Sequence, residues 1–391
     1  MSNFLSKTHP WINFALDLRN APPTFWLQLG EAKSLCQRMG QVPLEESLRH
    51  ELMKIYLAKG VRASAAIEGN TLSEEQVRDQ IEGDLDLPPS QGYLGREIQN
   101  VLSGCNAVLR DAKSGASLEV TEKGIRDFNG GLLDGLEVEE GVAPGKIGQG
   151  TRHVGRYKCP SSEDCRRLLS RLVEWLNGSG WDPQEGVDGL SWGILRSLTA
   201  HLYLVWIHPF GDGNGRTARL LEFQILLAAG VPAPSAHLLS NHYNNTRSVY
   251  YRKLEVSSQV DGGDVAFLAY ALEGFVEGLR KQWEWVEARQ LAMTWEAMVH
   301  RQFSVATGPV AKRRRDLLLA MTSQAPMTPT QLMGITPEIA RQYGKRTIKT
   351  MTRDLNHLLA NGFLVREGRA YRAAVELALS HRPSHWLSQS P

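Results

Sequence analysis

The sequence predicts a mainly α-helical protein. Apolar residues recur at helical spacing along most of the chain, as at Leu48, Leu52, Ile55 and Tyr56, whereas strand-like alternation is scarce. Hydrophobic residues make up 42% of the 391 residues and charged residues 22%, a composition that can bury a core and argues against disorder. A chain of this length has room for two or three domains.

We predict four parts along the chain. Residues 1–115 read as an N-terminal helical region, and residues 116–280 as a denser helical core. Residues 281–308 follow as a connecting helix, and residues 309–391 as a C-terminal domain that ends in a short hairpin. The expected fold is therefore a helical core and a second small domain, with very little sheet.

The cysteines and the N-terminus indicate the compartment. Cys36, Cys105, Cys159 and Cys165 form no CxxC pair, which is typical of reduced thiols. Met1–Pro10 has no apolar signal core, and no stretch approaches the ~18 continuous apolar residues of a membrane span. We therefore expect a cytoplasmic protein that does not enter the membrane.

Charge is distributed unevenly along a chain whose formal net charge is only +2. From Pro309 to Arg372 there are 12 Lys or Arg against 4 Asp or Glu, a local charge of +8, and the remainder carries −6. A basic C-terminal domain on a mildly acidic body is typical of proteins that bind nucleic acid. A solvated basic face without such a partner is the alternative.

Residues 208–219, with the sequence HPFGDGNGRTAR, join two predicted helices of the core. Three glycines at alternate positions let the backbone turn tightly and approach a ligand. The loop leads directly into a helix N-terminus, where free N–H groups and the helix dipole attract anions. Arg216 and Arg219 oppose that dipole, which is sensible if a multiply charged anion lies between them.

Two further residues of this loop suit phosphate chemistry. Asp212 would be an odd phosphate contact but a sensible Mg²⁺ ligand, because Mg²⁺ takes one or two carboxylates and completes its shell with phosphate oxygens and water. His208 stands at the mouth of the loop, and an ordinary histidine pKa of roughly 6.5 suits proton acceptance at neutral pH. A glycine-rich turn with incidental charges is the alternative, and the lack of GK[ST] excludes a Walker loop.

HPFGDGNGRTAR resembles the Fic family signature, HPFx[DE]GNGRxxR, at every fixed position. The resemblance covers roughly residues 60–280 and implies a Fic-type helical core. Enzymes of that family usually transfer AMP from Mg-ATP to a Tyr, Ser or Thr hydroxyl of a protein. In this sequence, His208 resembles the base that deprotonates the target hydroxyl, Asp212 resembles the Mg²⁺ ligand, and Phe210 is expected to anchor the loop in the core.

The resemblance also implies which residues contact the triphosphate. Gly213, Asn214 and Gly215 resemble the anion hole for the α- and β-phosphates. Arg216 resembles an α/β-phosphate contact, and Arg219 the partner of the γ-phosphate. ATP is therefore the expected substrate and Mg²⁺ the expected cofactor.

Residues 64–70, SAAIEGN, resemble the family's inhibitory motif, [ST]xxxE[GN], and their place before the core implies an N-terminal inhibitory helix. Glu68 could pair bidentately with Arg219. Such a pair would remove the partner of the γ-phosphate and put a negative charge where phosphate must bind. An ordinary exposed Glu before a Gly–Asn turn is the alternative.

Two other segments resemble parts of the family's substrate cleft. Residues 141–160 are rich in Gly and read as a loop or short hairpin. GQGTRHVGRY within them resembles the flap that aligns a target segment by strand addition, with its edge at about Thr151 to Gly155. Tyr250 and Tyr251 match the family's paired aromatics, so Tyr251 could stack on the adenine, with packing as the alternative.

The C-terminal domain reads as three helices followed by a hairpin, an order that resembles a winged helix-turn-helix. The third helix, with an apolar stripe between residues 348 and 359, would enter the major groove of DNA. The hairpin arginines Arg366, Arg369 and Arg372 would then meet phosphates. Binding to protein, or formation of a homodimer, is the alternative.

The leading hypothesis is a self-inhibited protein adenylyltransferase that uses Mg-ATP and modifies a hydroxyl of an unidentified protein. A DNA-binding regulator, whose core modifies itself or senses ATP, is the alternative from another class of protein. Transfer of a different phosphate-containing group is a second alternative. The loop alone does not reject such a donor, although a pair between Arg219 and Glu68 favours a triphosphate.

Overall fold

The computed structural model describes residues 8–150, 152–181, 188–260, 262–305, 308–322 and 324–378. The chain divides into two compact units, Met1–Gln282 and Trp283–Pro391. We predicted divisions near residues 115, 280 and 308. The first unit contains both the predicted N-terminal region and the predicted core. The described residues are mostly helical, and the prediction of a mainly α protein is confirmed.

The first unit consists of helices with one short hairpin among its described residues. In chain order its elements are α1 (Pro23–Gln41), α2 (Glu46–Ile67), α3 (Glu74–Glu82), a 3₁₀ turn (Pro89–Gln91), α4 (Gly92–Ser114), α5 (Glu122–Leu132), β1 (His153–Val154), β2 (Tyr157–Lys158), α6 (Ser162–Leu176), a 3₁₀ turn (Ser179–Trp181), α7 (Gly189–Ile207), α8 (Asn214–Ala228), α9 (Ala233–Ala236), α10 (Leu238–Asn245) and α11 (Arg247–Ser257). Helix α12 (Gly263–Gln302) begins in the first unit and ends in the second.

Helices α7 and α8 pack against each other at the centre of the first unit. Most residues of both helices are buried, as expected for helices that are covered on nearly every side. The side chain of Asp188 caps α7 by accepting N–H groups of Leu190 and Ser191. The helix ends at Ile207, because Pro209 disfavours helical backbone in the residue before it.

A glycine lets α2 approach the start of α10 closely. A Cβ at Gly60 would come within 2.5 Å of Nδ1 of His237, so a larger residue would push the two helices apart. The His237 ring also stacks on Phe223 of α8, with ring centroids 4.4 Å apart. This packing brings the C-terminal end of α2 towards α8.

The hairpin lies between α5 and α6. Strand β1 pairs antiparallel with β2, and Gly155 in the turn has a φ of 56°, which favours glycine. The Tyr157 hydroxyl donates to the carbonyl of Trp206 at 2.6 Å and thereby attaches the hairpin to α7. The predicted loop or short hairpin is a hairpin at these positions, while Thr151, part of the predicted edge, lies outside the described residues.

The second unit has its own apolar core. Its elements after α12 are α13 (Pro309–Ala320), α14 (Pro329–Leu332), α15 (Pro337–Tyr343), α16 (Ile348–Ala360), the antiparallel strands β3 (Leu364–Glu367) and β4 (Ala370–Ala373), and a 3₁₀ turn (Val375–Ala378). Trp295 of α12, Leu317 and Leu355 are each 0% exposed and belong to that core. Helix α15, with only seven residues, is an addition to the three helices expected from the sequence.

Buried ion pairs hold part of the basic C-terminal sequence inside this unit. Asp354 of α16 is 0% exposed and lies 2.7 Å from Arg313 and 2.9 Å from Arg314. The hydroxyl of Tyr343 donates to the same carboxylate at 3.0 Å. These two arginines therefore neutralise Asp354, and the exposed basic charge of the unit lies elsewhere.

No helix in the described ranges is both long and apolar enough to cross a lipid bilayer.

Candidate active site

The loop between α7 and α8 is anchored at its first three residues. His208 ends α7 in the left-handed conformation, with a φ of 48°, which is uncommon for a residue with a side chain. Phe210 is 1% exposed and its backbone bridges to Ile147. The N–H of Gly148 donates to the carbonyl of Pro209 at 2.9 Å. Phe210 therefore anchors the loop in the core, as expected.

Two asparagines fix the shape of the loop. The Asn214 side chain accepts the N–H of Phe210 and donates to its carbonyl, both at 2.9 Å. Asn129 of α5 is 0% exposed and donates to the carbonyl of Asp212 at 2.9 Å. At Gly213 the φ is 74°, and a Cβ would come within 3.0 Å of Nδ2 of Asn129. The Asn214 side chain thus serves the geometry of the loop, and its backbone N–H is the group that could bind an anion.

Arg219 of α8 is bonded to the C-terminal end of α2. Its Nη2 donates to Oε1 of Glu68 at 2.6 Å and to the carbonyl of Ser64 at 2.9 Å. The Arg219 side chain is 1% exposed and that of Glu68 is 30% exposed. Burial alone would raise the pKa of Glu68, but the charge of Arg219 and their hydrogen bond hold it below its usual value. The expected ion pair is present, through one oxygen of Glu68 rather than bidentately.

The Glu68 carboxylate lies against the first turn of α8. A Cβ at Gly215 would come within 2.4 Å of Oε1 of Glu68 and 3.1 Å of Nη1 of Arg219. Glu68 follows the last residue of α2, where the dipole of its own helix disfavours a negative charge, whereas the N-terminus of α8 attracts one. The carboxylate therefore lies at the N-terminal end of α8, and only a glycine at position 215 leaves it room there.

Arg216 has a different acidic partner. Its Nη1 lies 2.6 Å from Oε1 of Glu97 on α4, and the two side chains are 6% and 12% exposed. Its Nη2 lies 3.4 Å from Oδ1 of Asp212, whose side chain is 48% exposed. Each arginine of the signature is thus bonded to a carboxylate from a different helix.

His208 is held neutral by its surroundings. Burial, together with the charge of Arg152, lowers the pKa of His208 to about 4, so the imidazole can accept a proton at pH 7. Among the described residues, Nδ1 of His208 has no hydrogen-bond partner. Arg152 is fixed beside it, because its Nη2 donates to the carbonyl of His208 at 3.1 Å.

A cleft of about 720 Å³ opens beside the loop. It is lined by residues from α2, the hairpin, the end of α7, the start of α8 and α11, among them Glu68, Tyr157, His208, Gly215, Arg219 and Tyr251. The structure thus brings the predicted base, one arginine and the predicted inhibitory residue into one cavity. Asp212, Gly213, Asn214 and Arg216 lie outside the lining of this cleft.

The two tyrosines of α11 have different surroundings. Tyr250 is 1% exposed, its hydroxyl lies 2.9 Å from a ring nitrogen of His201, and it lines the cleft as a buried residue. Tyr251 is 44% exposed and lines the cleft, and the guanidinium of Arg247 lies 5.8 Å from its ring centroid. Its hydroxyl donates to the carbonyl of Ile67 at 3.0 Å, which ties α11 to the end of α2.

Asp212 is the carboxylate that the sequence assigns to Mg²⁺. In the part of the chain that the structure describes, no group of three or more His, Cys, Asp or Glu could hold a metal ion. Oδ1 of Asp212 accepts the N–H of Gly213 at 2.5 Å, and the side chain is half exposed. A single exposed carboxylate fits Mg²⁺ that arrives with nucleotide, because phosphate oxygens and water supply its other ligands.

Four residues that shape this site had no role predicted from the sequence: Glu97, Asn129, Arg152 and Tyr157. Glu97 and Asn129 belong to no motif, whereas Arg152 and Tyr157 lie in the segment that resembles the flap. Each of the four acts across elements that are distant along the chain. Asn129 alone left a signal, since a polar residue falls between Ile125 and Leu132 on the buried face of α5. For the other three, only the packed structure identifies the partner.

The chain is similar in sequence to proteins of one known family. Residues 119–226 match the profile of the Fic/DOC family. The chain is 34% identical over 219 residues to "Protein adenylyltransferase fic-1" of Caenorhabditis elegans, which is 55% of this chain and 39% of that protein. It is 30% identical over 202 residues to "Protein adenylyltransferase Fic" of Drosophila virilis, 51% of this chain and 37% of that protein. The chain therefore spans about two fifths of these curated relatives.

Solved structures show the same fold. A Fic family protein from Desulfovibrio desulfuricans G20 matches with a TM-score of 0.55 and 21% identity over 92% of this chain and 98% of that one. Fic-1 (residues 134–508) from C. elegans matches with a TM-score of 0.53 and 25% identity over 68% of this chain and 73% of that one. The helical fold around the loop is thus similar to that of Fic proteins.

Proposed function

We propose that this chain is a protein adenylyltransferase that transfers AMP from Mg-ATP to a Tyr, Ser or Thr hydroxyl of a target protein. The observation that carries the proposal is that a neutral His208, the N-terminal turn of α8 and Arg219 meet in one cleft. In-line attack on a phosphorus needs positioning, charge neutralisation and a proton acceptor. The similarity to proteins named as adenylyltransferases supports the same activity.

The residues of the loop have separate roles in this proposal. His208 takes the proton of the target hydroxyl while the hydroxyl oxygen bonds to the α-phosphorus. The bond between the α-phosphorus and the oxygen that bridges to the β-phosphate breaks, which releases pyrophosphate. The backbone N–H groups of Gly213, Asn214 and Gly215 bind the α- and β-phosphates. Mg²⁺, held by Asp212 and phosphate oxygens, would neutralise charge on the departing pyrophosphate.

Four more residues or segments complete the proposed site. Arg216 contacts the α- and β-phosphates and Arg219 the γ-phosphate. Tyr251, partly exposed at the cleft, stacks on the adenine. The edge of the hairpin, expected at residues 151–155, adds a strand to the target segment.

A cytoplasmic location is also proposed, from the cysteine content of the sequence.

Glu68 inhibits the site in this proposal. Its carboxylate holds Nη2 of Arg219 at 2.6 Å and lies over Gly215, where phosphate would bind. ATP could still bind through the remaining contacts, but its γ-phosphate would be displaced and the α-phosphorus would not line up with the hydroxyl. A misplacement of about 1 Å can cost on the order of a hundredfold in rate.

The experiment that tests both activity and inhibition compares the wild type with Glu68→Gly in labelled ATP and saturating Mg²⁺. We expect Glu68→Gly to label itself or proteins of a lysate at least tenfold faster, because the carboxylate no longer competes for Arg219. Adding Arg219→Ala should silence the gain. Equal labelling by wild type and Glu68→Gly would reject the inhibition, and no AMP transfer by either would reject the activity.

A second candidate function, DNA binding, rests on the C-terminal unit. Helices α13, α14 and α16 precede the hairpin of β3 and β4 with the added helix α15 among them. Without α15 this is the order that resembles a winged helix-turn-helix. Lys349 and Arg353 are exposed on α16, and no carboxylate of the described residues pairs with either. Arg372, expected at phosphate, lies between Glu367 and Glu376 and contributes less. Titration of the whole chain with duplex DNA, with and without ATP, tests this candidate against the alternatives of protein binding or a homodimer.

A further inference from the structure

Glu97 bonds both to the motif at residues 64–70 and to the segment 208–219, although it belongs to neither. Its Oε1 accepts Nη1 of Arg216 at 2.6 Å, and its Oε2 accepts Nδ2 of Asn70 at 2.9 Å. Asn70 is fixed in turn, because it also donates to the carbonyl of Leu94 at 3.0 Å. The Glu97 carboxylate is therefore held in place from one side while it bonds Arg216 from the other.

Arg216 lies between two carboxylates and pairs closely with only one. Its Nη1 lies 2.6 Å from Glu97, whereas its Nη2 lies 3.4 Å from the nearer oxygen of Asp212. The Arg216 side chain is 6% exposed, and a buried guanidinium without a close partner is unstable. Among the described residues, Asp212 is the other carboxylate that forms an ion pair with Arg216. If the charge of Glu97 were lost, Arg216 would therefore pair with Asp212.

We infer that Glu97 is a positioning residue that holds Arg216 short of Asp212. Nη2 of Arg216 then donates to Asp212 only over 3.4 and 3.5 Å, and the Asp212 carboxylate, 48% exposed, stays open to a divalent cation. This inference rests on the proposed function, in which Asp212 binds the cation of Mg-ATP. Without Glu97, an internal ion pair between Arg216 and Asp212 competes with that cation.

The experiment measures ATP binding by calorimetry while Mg²⁺ is titrated, in a Glu68→Gly background that leaves the nucleotide site open. Glu97→Gln keeps an oxygen for Asn70 and removes the charge that holds Arg216. We expect the Mg²⁺ concentration for half-maximal strengthening of ATP binding to rise roughly tenfold or more, as is usual when a residue that supports a metal ligand is lost. Glu97→Asp should give a smaller rise. The control is Asp111→Asn, which removes one charge from an exposed position of the same helix and should change nothing.

A double variant distinguishes positioning from a general structural effect. Because no guanidinium then remains to occupy Asp212, adding Glu97→Gln to Arg216→Gln should leave the Mg²⁺ midpoint of the Arg216→Gln variant unchanged. An unchanged midpoint in Glu97→Gln alone, or an equal rise when Arg216 is already replaced, overturns the inference. If Glu97→Gln does not fold, an unchanged midpoint in Glu97→Asp overturns it instead. If Glu68→Gly itself shows no Mg²⁺-dependent ATP binding, the proposed function fails as well, so the two failures are distinguishable.

Discussion

His208 has an uncommon backbone conformation and a lowered pKa. Its φ of 48° orients the residue at the end of a buried helix, and its surroundings lower its pKa to about 4. A base with so low a pKa is entirely in its neutral form at pH 7, at the cost of a weaker driving force for taking the proton. The same burial that makes His208 available therefore limits its strength as a base.

His208→Ala in the Glu68→Gly background should lower AMP transfer by about 10²–10⁴-fold, the usual contribution of a general base. ATP binding should stay within about twofold, because in the proposed mechanism His208 acts on the incoming hydroxyl and not on the phosphates. Transfer is measured with labelled ATP and binding by calorimetry. The control is His50→Ala, which removes an exposed histidine on α2. Normal transfer by His208→Ala would show that another group is the base.

Among the elements, α2 and α8 meet with opposite electrostatic ends. The C-terminal end of α2 presents Glu68, and the N-terminal end of α8 presents Gly215 and Arg219. The negative charge is unfavourable at its own helix and favourable at its neighbour, so the contact depends on how closely the two helices pack. The close contact between Gly60 of α2 and His237, at the start of α10, helps to set the distance between α2 and α8.

The proposed binding of DNA by the C-terminal unit can be tested at helix α16. Its buried face holds Met351, Leu355 and Leu358, and Lys349 and Arg353 are exposed. If the helix enters a DNA groove, Lys349→Glu with Arg353→Glu should abolish the shift of duplex DNA by the whole chain at low salt. The wild type should lose affinity steeply as salt rises, because its cations release counterions from DNA.

A control with the same change of charge separates DNA binding at α16 from non-specific attraction. Arg110→Glu with Lys113→Glu reverses two exposed charges of α4 in the first unit and should leave the DNA shift unchanged. Equal loss in both double variants would mean that net charge alone is responsible. No shift by the wild type at low salt would favour the protein-binding alternative.

At the scale of the whole molecule, buried histidines make stability depend on pH. Burial lowers the pKa of His237 to about 3 and that of His208 to about 4, and it also lowers the pKa of His242. In the unfolded chain these side chains titrate near about 6.5. Between pH 7 and 5 the unfolded state therefore binds more protons than the folded state, and the free energy of unfolding falls as the pH falls.

For His237, which is 4% exposed, the expected loss is about 2 kcal/mol between pH 7 and 5. Above about pH 8 these histidines are neutral in both states and should contribute almost no pH dependence. Urea denaturation at each pH measures the loss of unfolding free energy, from the unfolding transition of the unit that contains α2, α8 and α10. His237→Gln should make the pH dependence shallower by about the same amount, and an unchanged slope in this variant would contradict the explanation.

The sequence by itself determined the features that depend on neighbouring residues. The end of α7 near His208, the start of α8 after the glycines and the anion-attracting turn all follow from Pro209, Gly213 and the free N–H groups of a helix end. The motif of residues 64–70 likewise indicated Glu68 as the partner of Arg219, and the structure contains that pair. These features are local, or follow from the resemblance of residues 64–70 and 208–219 to family motifs, so the sequence is enough to indicate them.

Only the tertiary structure decided which charges meet and which are buried. Glu97 and Arg216 are distant along the chain and belong to different helices, and no spacing indicates that they pair. The basic run at residues 312–315 contributes to a local charge of +8 in the sequence, yet Arg313 and Arg314 turn inward to Asp354. The low pKa of His208 likewise follows from burial and from Arg152. Desolvation and ion pairing depend on how distant segments pack, and that information is not present in local sequence.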